Sequence, residues 1–529
     1  MINLINKLTR LAVSQPHFHQ IKSEALNLSK DLNENLQTVM SEFKHVDDLV
    51  VRRFKIGTEH QIDAFVVFLR GLVDKEMLQE HVIMTLMTDF RGTRLESGIP
   101  CKHPLAVIKE NILSVASLTE VNTLMESTNA ILSGNSVLFI DGSDAALAVA
   151  LQGAETRGVS EPETEVTVRG PREGFVESLQ VNVSMVRRKI KNANVKLELM
   201  TIGRQTKTDV GIMYVKGIVD NNIVLEVKKR LQKIQTDSIL ESGYIESFIE
   251  DAPFSIFATI GNSEKPDVVS AKLLEGRVAI LVDGTPFVLT APYLLIEAFQ
   301  SSEDYYIRPY YATFIRMLRW MAFLISVFLP SAYVAITTFH QELLPSRLLT
   351  SIAASKEGTP FPSIIEALMM QIIFEILREA GIRLPRPVGQ AVSIVGALVL
   401  GEAAVSAGLI GAPMVIVVAL TAITSFVVPA LIEPLTIARL LLIILAGFAG
   451  QFGIWLGVAG ILTHLCSLRS FGVPYTSPLT PSNLGDMKDV LVRVPLWAMH
   501  RRPQGLGTSN TDRQQKKQMP APPENGSTN

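Results

Sequence analysis

The pattern of apolar and polar positions changes character near residue 306. Upstream, short apolar runs are set between mixed-charge stretches, as in a water-soluble α/β protein; from Trp320 to Leu468 apolar residues dominate. Residues 1–50 are polar with spaced leucines (Leu26, Leu28, Leu32, Leu36), which predicts a helical N-terminal arm. A duplication follows. AFVVFLRGLVDKEMLQEHVIMTLM begins at Ala64 and GIMYVKGIVDNNIVLEVKKRLQKI at Gly211, each an apolar strand, a Gly-hydrophobic-Val-Asp turn and a helical pattern. The turns, Gly71 to Asp74 and Gly217 to Asp220, lie 217 − 71 = 146 positions apart. Downstream, NSVLFIDGSDAALAVALQG (from Asn135) and GRVAILVDGTPFVLTAP (from Gly276) repeat at a nearly equal offset, each strand running into an Asp-Gly turn. The pattern predicts two α/β subdomains with the same order of elements, over residues 55–155 and 200–295.

The apolar part reads as helices. Trp320 to Phe339 carries no charge and is about 20 residues long, enough to cross a bilayer. Arg308, Arg316 and Arg319 precede it, so the positive-inside rule places the N-terminal portion in the cytoplasm. Pro360 to Pro385 is a helix-length segment bounded by proline. At about 100° per residue its Gln371, Glu375, Arg378 and Glu379 share one face, while Glu366 points elsewhere. From Val388 to Ile432 the only charge is Glu402, and Gly411-Ala412-Pro413 divides the stretch into two helices. Leu440 to Leu468 has no formal charge and is too long for one span. Split near Gly447–Gly453 into two passes, it returns Arg469, Arg493, Arg501 and Arg502 to the cytoplasm.

The expected fold class is therefore a soluble α/β N-terminal portion with two repeated subdomains, followed by an all-α polytopic membrane domain of five to six segments. The boundaries are a helical arm at 1–50, the first α/β subdomain at 51–160, and a basic linker with the second subdomain at 161–306. The transmembrane domain covers 307–470. A cytoplasmic C-terminal segment follows at 471–529, with a disordered tail beyond Arg502.

Ionisable groups at membrane depth are costly enough to mark functional positions. Gln371, Glu375, Glu379 and Glu402 are the candidate pore-lining residues, and acidic side chains in a pore favour cations. Pro360, Pro362, Arg378, Gly381 and Pro385 are candidate gating or helix-boundary positions. The competing readings of the segment are an amphipathic helix in the headgroup plane and a connector between spans. The basic stretch around Arg169, Arg172, Arg187, Arg188, Lys189 and Lys191 offers contact with anionic lipid or a neighbouring subunit, or ordinary pairing with Glu173 and Glu177.

Composition narrows the function classes. A net charge of −2 argues against a nucleic-acid partner. Two distant cysteines, Cys101 and Cys466, argue against a disulfide framework and a thiolate metal site. Neither repeat has a phosphate-binding loop with lysine or a nucleophile elbow, and Asp141 and Asp283 read as turn residues. No enzymatic activity, cofactor or metal is expected.

Three stretches together resemble one family, the A subunit of the nutrient germinant receptors of endospore-forming bacteria. They are RGPREGFVES (Arg169–Ser178), PFPSIIEALMMQIIFEILREAGIRLP (Pro360–Pro385) and GQAVSIVGALVLGEAAVSAGLIGAPMVIVVALTAITSFVVPA (Gly389–Ala430). With the repeated strands, the likeness covers residues 50–470. It implies a subunit of the spore inner membrane required for triggering germination, working with a permease-like B subunit and a lipoprotein C subunit. It further implies assembly of A subunits into a homo-oligomeric ring, thought to be pentameric, that forms a nutrient-gated cation channel. The alternatives are a secondary carrier, with Glu402 and Glu375 binding substrate or proton, and a non-conducting signalling scaffold of the receptor.

Overall fold

The computed structural model describes residues 26–56, 61–89, 105, 108, 117–153, 161–162, 165, 167–383, 401–482, 485–516 and 518–520. The chain divides into two units: residues 1–155 with 191–193, and residues 156–190 with 194–529.

In the first unit, α1 (Leu32–Glu42) starts at Asp31, whose carboxylate accepts from Asn33 N at 2.8 Å. The strands β1 (Leu49–Ile56) and β2 (Ile62–Leu69) form a hairpin. Helix α2 (Lys75–Leu78) continues as a π-helix over Gln79–Asp89. Then come β3 (Leu118–Val121), α3 (Leu124–Leu132), β4 (Ser136–Ile140) and β5 (Ala146–Val149). The sheet is antiparallel, in the order β1-β2-β4-β5-β3. Strand β2 sends Phe65, Val67 and Leu69 towards α1 and α3, and Ala64, Val66 and Phe68 towards α2. With both faces covered by helices, the strand reads as a continuous apolar run instead of an alternation.

The second unit repeats this design. It runs α4 (Leu179–Lys189), β6 (Val195–Ile202), β7 (Thr208–Val215), α5 (Asn221–Gln232), α6 (Ser242–Ile249), β8 (Gly261–Ser263), α7 (Pro266–Leu274), β9 (Val278–Val282) and β10 (Val288–Ala291). Its sheet order is β6-β7-β9-β10-β8. The register is also kept: Leu49 pairs with Leu69 and Val195 with Val215, while Ala64 pairs with Ile140 and Val210 with Val282.

Both repeats begin earlier than the sequence pattern predicts. Helix α1, expected in an N-terminal arm over 1–50, places Leu32 and Val39 in the core of the first unit. Helix α4, expected in the basic linker, is its counterpart in the second. The reason lies in the Asp-Gly turns. Asp141 Oδ1 accepts from Leu32 N at 3.4 Å and Asp283 Oδ1 from Leu179 N at 2.9 Å, so each turn anchors the start of the first helix of its own repeat. A reciprocal amide clasp precedes each helix: Ser29 with Asn35 (2.8 and 2.6 Å), and Val176 with Asn182 (2.8 and 2.5 Å).

The C-terminal segment departs further from expectation. In the first unit the chain just past β5 pairs with the turn before α2, with Gly153 N donating to Leu72 O at 3.2 Å. In the second unit the chain past β10 leaves for the helical region, and Ser509 N donates to Ile218 O at 3.1 Å instead. Ile218 stands 218 − 72 = 146 positions after Leu72, the offset of the repeat. Residues 507–509 thus occupy the place that 151–153 fill in the first unit. Leu506, 1% exposed, belongs to the second unit's core. The tail expected to be disordered beyond Arg502 is ordered through Ser509 because this buried leucine and these backbone bonds hold it.

The helical part of the second unit comprises α8 (Pro309–Thr338), α9 (Ser346–Lys356), α10 (Ser363–Arg383), helical residues 401–406, α11 (Ala412–Ser425) and α12 (Ile432–Ser467). Where five to six spanning segments are expected, two helical stretches among the described residues are long and apolar enough to cross a membrane, Pro309–Thr338 and Pro429–Ser467. The α11 helix is apolar but shorter, and the α10 helix carries charges. The expected split of the last apolar segment falls at Gly450, whose backbone (φ 59°, ψ −138°) is outside the helical region. Residues 451–467 fold back along 432–449: a Cβ on Gly457 would come within 2.6 Å of Leu442 Cδ2. Each arm is about 27 Å long at 1.5 Å per residue.

Candidate functional site

The direction of α10 through the bundle follows from its contacts. Its first residue, Ser363, accepts from Thr337 Oγ1 at 3.1 Å at the far end of α8, and Ile364 packs on Gly447 beside the Gly450 bend. Towards its end it reaches Thr436 and Arg439 near the start of α12. The α10 helix therefore runs back towards the α/β part of its unit. Pro362 O accepts from Ile365 N and Glu366 N, so the second proline of the motif sets the helix start, with Pro360 exposed in the preceding turn. Gly381 lies within the last turn, and Pro385 lies outside the described residues.

The polar face of α10 is turned into the bundle. Gln371 is 1% exposed and donates through Nε2 to Glu375 Oε1 at 3.0 Å. Glu375 is half-buried; Arg378 Nη2 sits 2.6 Å from its Oε2, Thr436 Oγ1 donates to its Oε1 at 3.3 Å, and Arg439 Nη2 lies 3.9 Å away. Arg439 is fully buried. One carboxylate thus serves two guanidiniums, and the polar face of α10 forms a brace against α12. Glu379, one turn further, is exposed and pairs with Arg383 at 2.7 Å. Glu402 is exposed on helical residues 401–406, and no ion pair joins it to this group among the described residues.

What α10 shows on its outer side is apolar. Ile365, Ile372 and Ile376 are exposed in a row with Glu379, on a helix whose opposite side is buried. Sequence reasoning missed Thr436 and Arg439. Their only sign was a lone arginine at the edge of a charge-free run, which reads equally well as a topology determinant. It also assigned no role to Glu366, which is fully buried among α8 and α9 residues with both carboxylate oxygens lacking a hydrogen-bond partner.

A second charged cluster sits at the base of α8. Asp304 and Arg316 are both fully buried. Arg316 Nη2 lies 3.0 Å from Asp304 Oδ2, Arg319 Nη1 2.8 Å from the same oxygen, and Arg316 Nη1 2.8 Å from Asp489 Oδ1. Two arginines expected to act as flanking positive charges are instead neutralised by two aspartates. The basic stretch expected as a linker is likewise engaged: Arg172 pairs with Glu161, and Arg188 and Lys189 of α4 pair with Glu173. Among the described residues no group of His, Cys, Asp or Glu is arranged to hold a metal ion.

Residues 37–505 match the family described as Bacillus/Clostridium GerA spore germination protein. Spore germination protein KA of Bacillus subtilis (strain 168) is 47% identical over 505 residues, covering 95% of this chain and 92% of that protein. The uncharacterized membrane protein YfkQ of the same organism is 43% identical over 500 residues, covering 94% and 96%. Among solved structures, the N-terminal domain of the A subunit of the Bacillus megaterium spore germinant receptor GerK3 is similar at 38% identity with a TM-score of 0.42, over 51% of this chain and 98% of that one.

Proposed function

The chain belongs to the GerA family of spore germination proteins, and from that premise we propose that it is the membrane subunit of a nutrient germinant receptor and that its copies assemble into a nutrient-gated cation channel. It works in the spore inner membrane with a permease-like B subunit and a lipoprotein C subunit, its α/β units on the core side. The observation that carries the channel reading is the outer face of α10, where exposed isoleucines lead to an exposed glutamate. Turned to a common axis in a ring of copies, Ile372 and Ile376 form an apolar constriction that closes by dewetting, and Glu379 forms an acidic ring that favours cations. Glu402 adds a further acidic position. Gln371 and Glu375 stand behind this wall in the brace to Arg439 and reach the pathway when α10 turns away from α12.

The backbone bond from Ser509 to Ile218 supports an even number of crossings, because it keeps the C-terminal segment in the same folded body as the second α/β unit. Six crossings satisfy this, and α8, α10, α11 and the two arms of α12 would make five of them.

Single-channel recording of the purified receptor in planar bilayers tests the proposal. The I376S variant is expected to pass current without nutrient, and E379Q to lose preference for cations over anions. Saturating exchange without unitary steps would indicate a carrier. Absence of current with all subunits and nutrient present would falsify the channel reading and leave a signalling scaffold.

A further inference from the structure

One stretch of chain, residues 486–509, runs from the base of α8 to the Ile218–Asp220 turn and bonds to both. At one end Asp489 closes the charged cluster at the base of α8: its carboxylate pairs with Arg316 at 2.8 Å and accepts from Tyr305 OH at 2.5 Å. Its backbone oxygen accepts from Gln300 Nε2 at 2.8 Å and from Arg316 at 2.6 Å. At the other end Ser509 N completes the second α/β repeat on Ile218 O, with Ser509 Oγ 3.3 Å from Val219 O. The two ends are tied together inside the stretch. Asp486 Oδ2 accepts from Gln504 N at 2.8 Å and from Gly505 N at 3.3 Å. One path from α8 to the Ile218–Asp220 turn is Arg316, Asp489, Asp486, Gly505, Ser509; another runs from the chain before α8 through Glu297 and Arg277 to Gly276, which packs on Ile218 O.

The attachment at the α/β end is mainly apolar and backbone: Val490 and Leu506 lie in the second unit's core, and Arg502 Nε donates to Leu274 O at 2.8 Å. Beside it lies an open cavity of about 640 Å³ between α5, the Phe471–Pro474 ribbon and Gly505–Gly507. Leu506 is the buried apolar anchor there. The α8 end, by contrast, is a buried four-charge cluster. One stretch thus carries a charged contact to the base of α8 and an apolar and backbone contact to the α/β turn. Among the described residues the first unit shows no equivalent, because there the pairing residue Gly153 follows β5 by 153 − 149 = 4 positions.

We propose that residues 486–509 are a coupling strap that makes the state of the Ile218–Asp220 turn and the state of the base of α8 depend on each other. Coupling of this kind is reciprocal and is commonly about 5- to 150-fold in an equilibrium. The inference does not rest on channel activity, and its test reads none.

Hydrogen exchange on the full chain in detergent micelles decides it. S509P removes the N–H given to Ile218 O and is expected to speed exchange about five-fold or more, both at residues 216–224 and in the first turns of α8. D489N is expected to do the same in reverse, loosening α8 locally and residues 216–224 at a distance. D486A cuts the tie while leaving both anchors, and in that background S509P should no longer affect α8. Cross-effects that vanish with D486A support the strap. Effects confined to the mutated anchor, or cross-effects that persist with D486A, overturn it. If D489N does not fold, comparing S509P with D486A/S509P suffices to support the strap or overturn it.

Discussion

The two α/β units share strand order, register, the amide clasp and the Asp-Gly anchor, yet one face of the sheet differs in kind. Aligned at an offset of 142 (β4 on β9, 278 − 136 = 142), Thr123, Ala130, Asn135 and Ala148 of the first unit become Lys265, Lys272, Arg277 and Thr290 of the second. In the first unit Thr123 caps α3 in a capping box and Ala148 packs in the core. In the second, Lys265 is 1% exposed and contacts Ser302 Oγ at 3.2 Å, Lys272 lies 3.3 Å from Glu297 and 3.1 Å from Thr290 Oγ1, and Arg277 pairs with Glu297. Glu297 and Ser302 belong to the chain on its way to α8. Duplication preserved the turns and helix starts, which any copy needs. The copy joined to the helices exchanged small and apolar groups for buried charges that grip the exit chain. Buried pairs of this sort add little net stability over apolar packing, but they leave a stranded charge if one partner is removed.

The largest test of that contrast is R277N, which restores the residue of the first unit. It leaves Glu297 buried with Lys272 as its remaining cationic partner and is expected to cost about 3 kcal/mol, the low end for a broken buried pair. Urea titration followed by exchange of residues 278–291 against 136–149 should show the loss in the second unit alone. Equal loss in both would break the comparison.

Next comes a pH effect tied to the second unit. Burial, together with Glu250, Glu241 and Glu433, raises the Glu246 carboxyl from 4.5 to about 7. A carboxyl whose pKa is higher when folded holds its proton better in the native state, so its contribution is full below pH 4.5 and is lost as pH rises through about 7. Stability should fall over that window, by up to about 3 kcal/mol, and E246Q should flatten the slope. A profile unchanged by E246Q would show that burial does not raise the Glu246 carboxyl.

The smallest effect probes what the units share. D141A and D283A each remove an acceptor for a helix-start N–H, at a cost of about 1 kcal/mol in the unit concerned. The shorter bond at Asp283, 2.9 Å against 3.4 Å, predicts the larger loss there. A substantial loss from one and none from the other would contradict the shared role.

The repeated strands and both Asp-Gly turns were legible in the sequence because strand, turn and helix patterns are local. The bend in the last apolar segment was legible too, from its length and its glycines. What could not be read is what depends on distant partners. Asp489 meets Arg316 across 489 − 316 = 173 positions, and nothing near either residue signals the other. The polar face of α10 was visible as a stripe. Its burial against Thr436 and Arg439 was not, because helical periodicity shows which residues share a face and says nothing about what that face meets. The repeat boundaries were misplaced for a related reason: α1 and α4 differ in sequence, and what makes them equivalent is a bond from a turn more than 100 residues later.

The pairing of Ser509 with Ile218 also sets a timetable for biogenesis. The ribosome releases Ala291, the end of β10, 509 − 291 = 218 residues before Ser509, a delay of roughly 10–40 s at typical elongation rates. Throughout that interval the first unit is whole while the second lacks the segment that pairs with its Ile218 turn, and every intervening helix is made before that segment arrives. A nascent chain that stalls within those helices would leave the Ile218 turn and the core under Leu506 open to the cell's quality-control proteases.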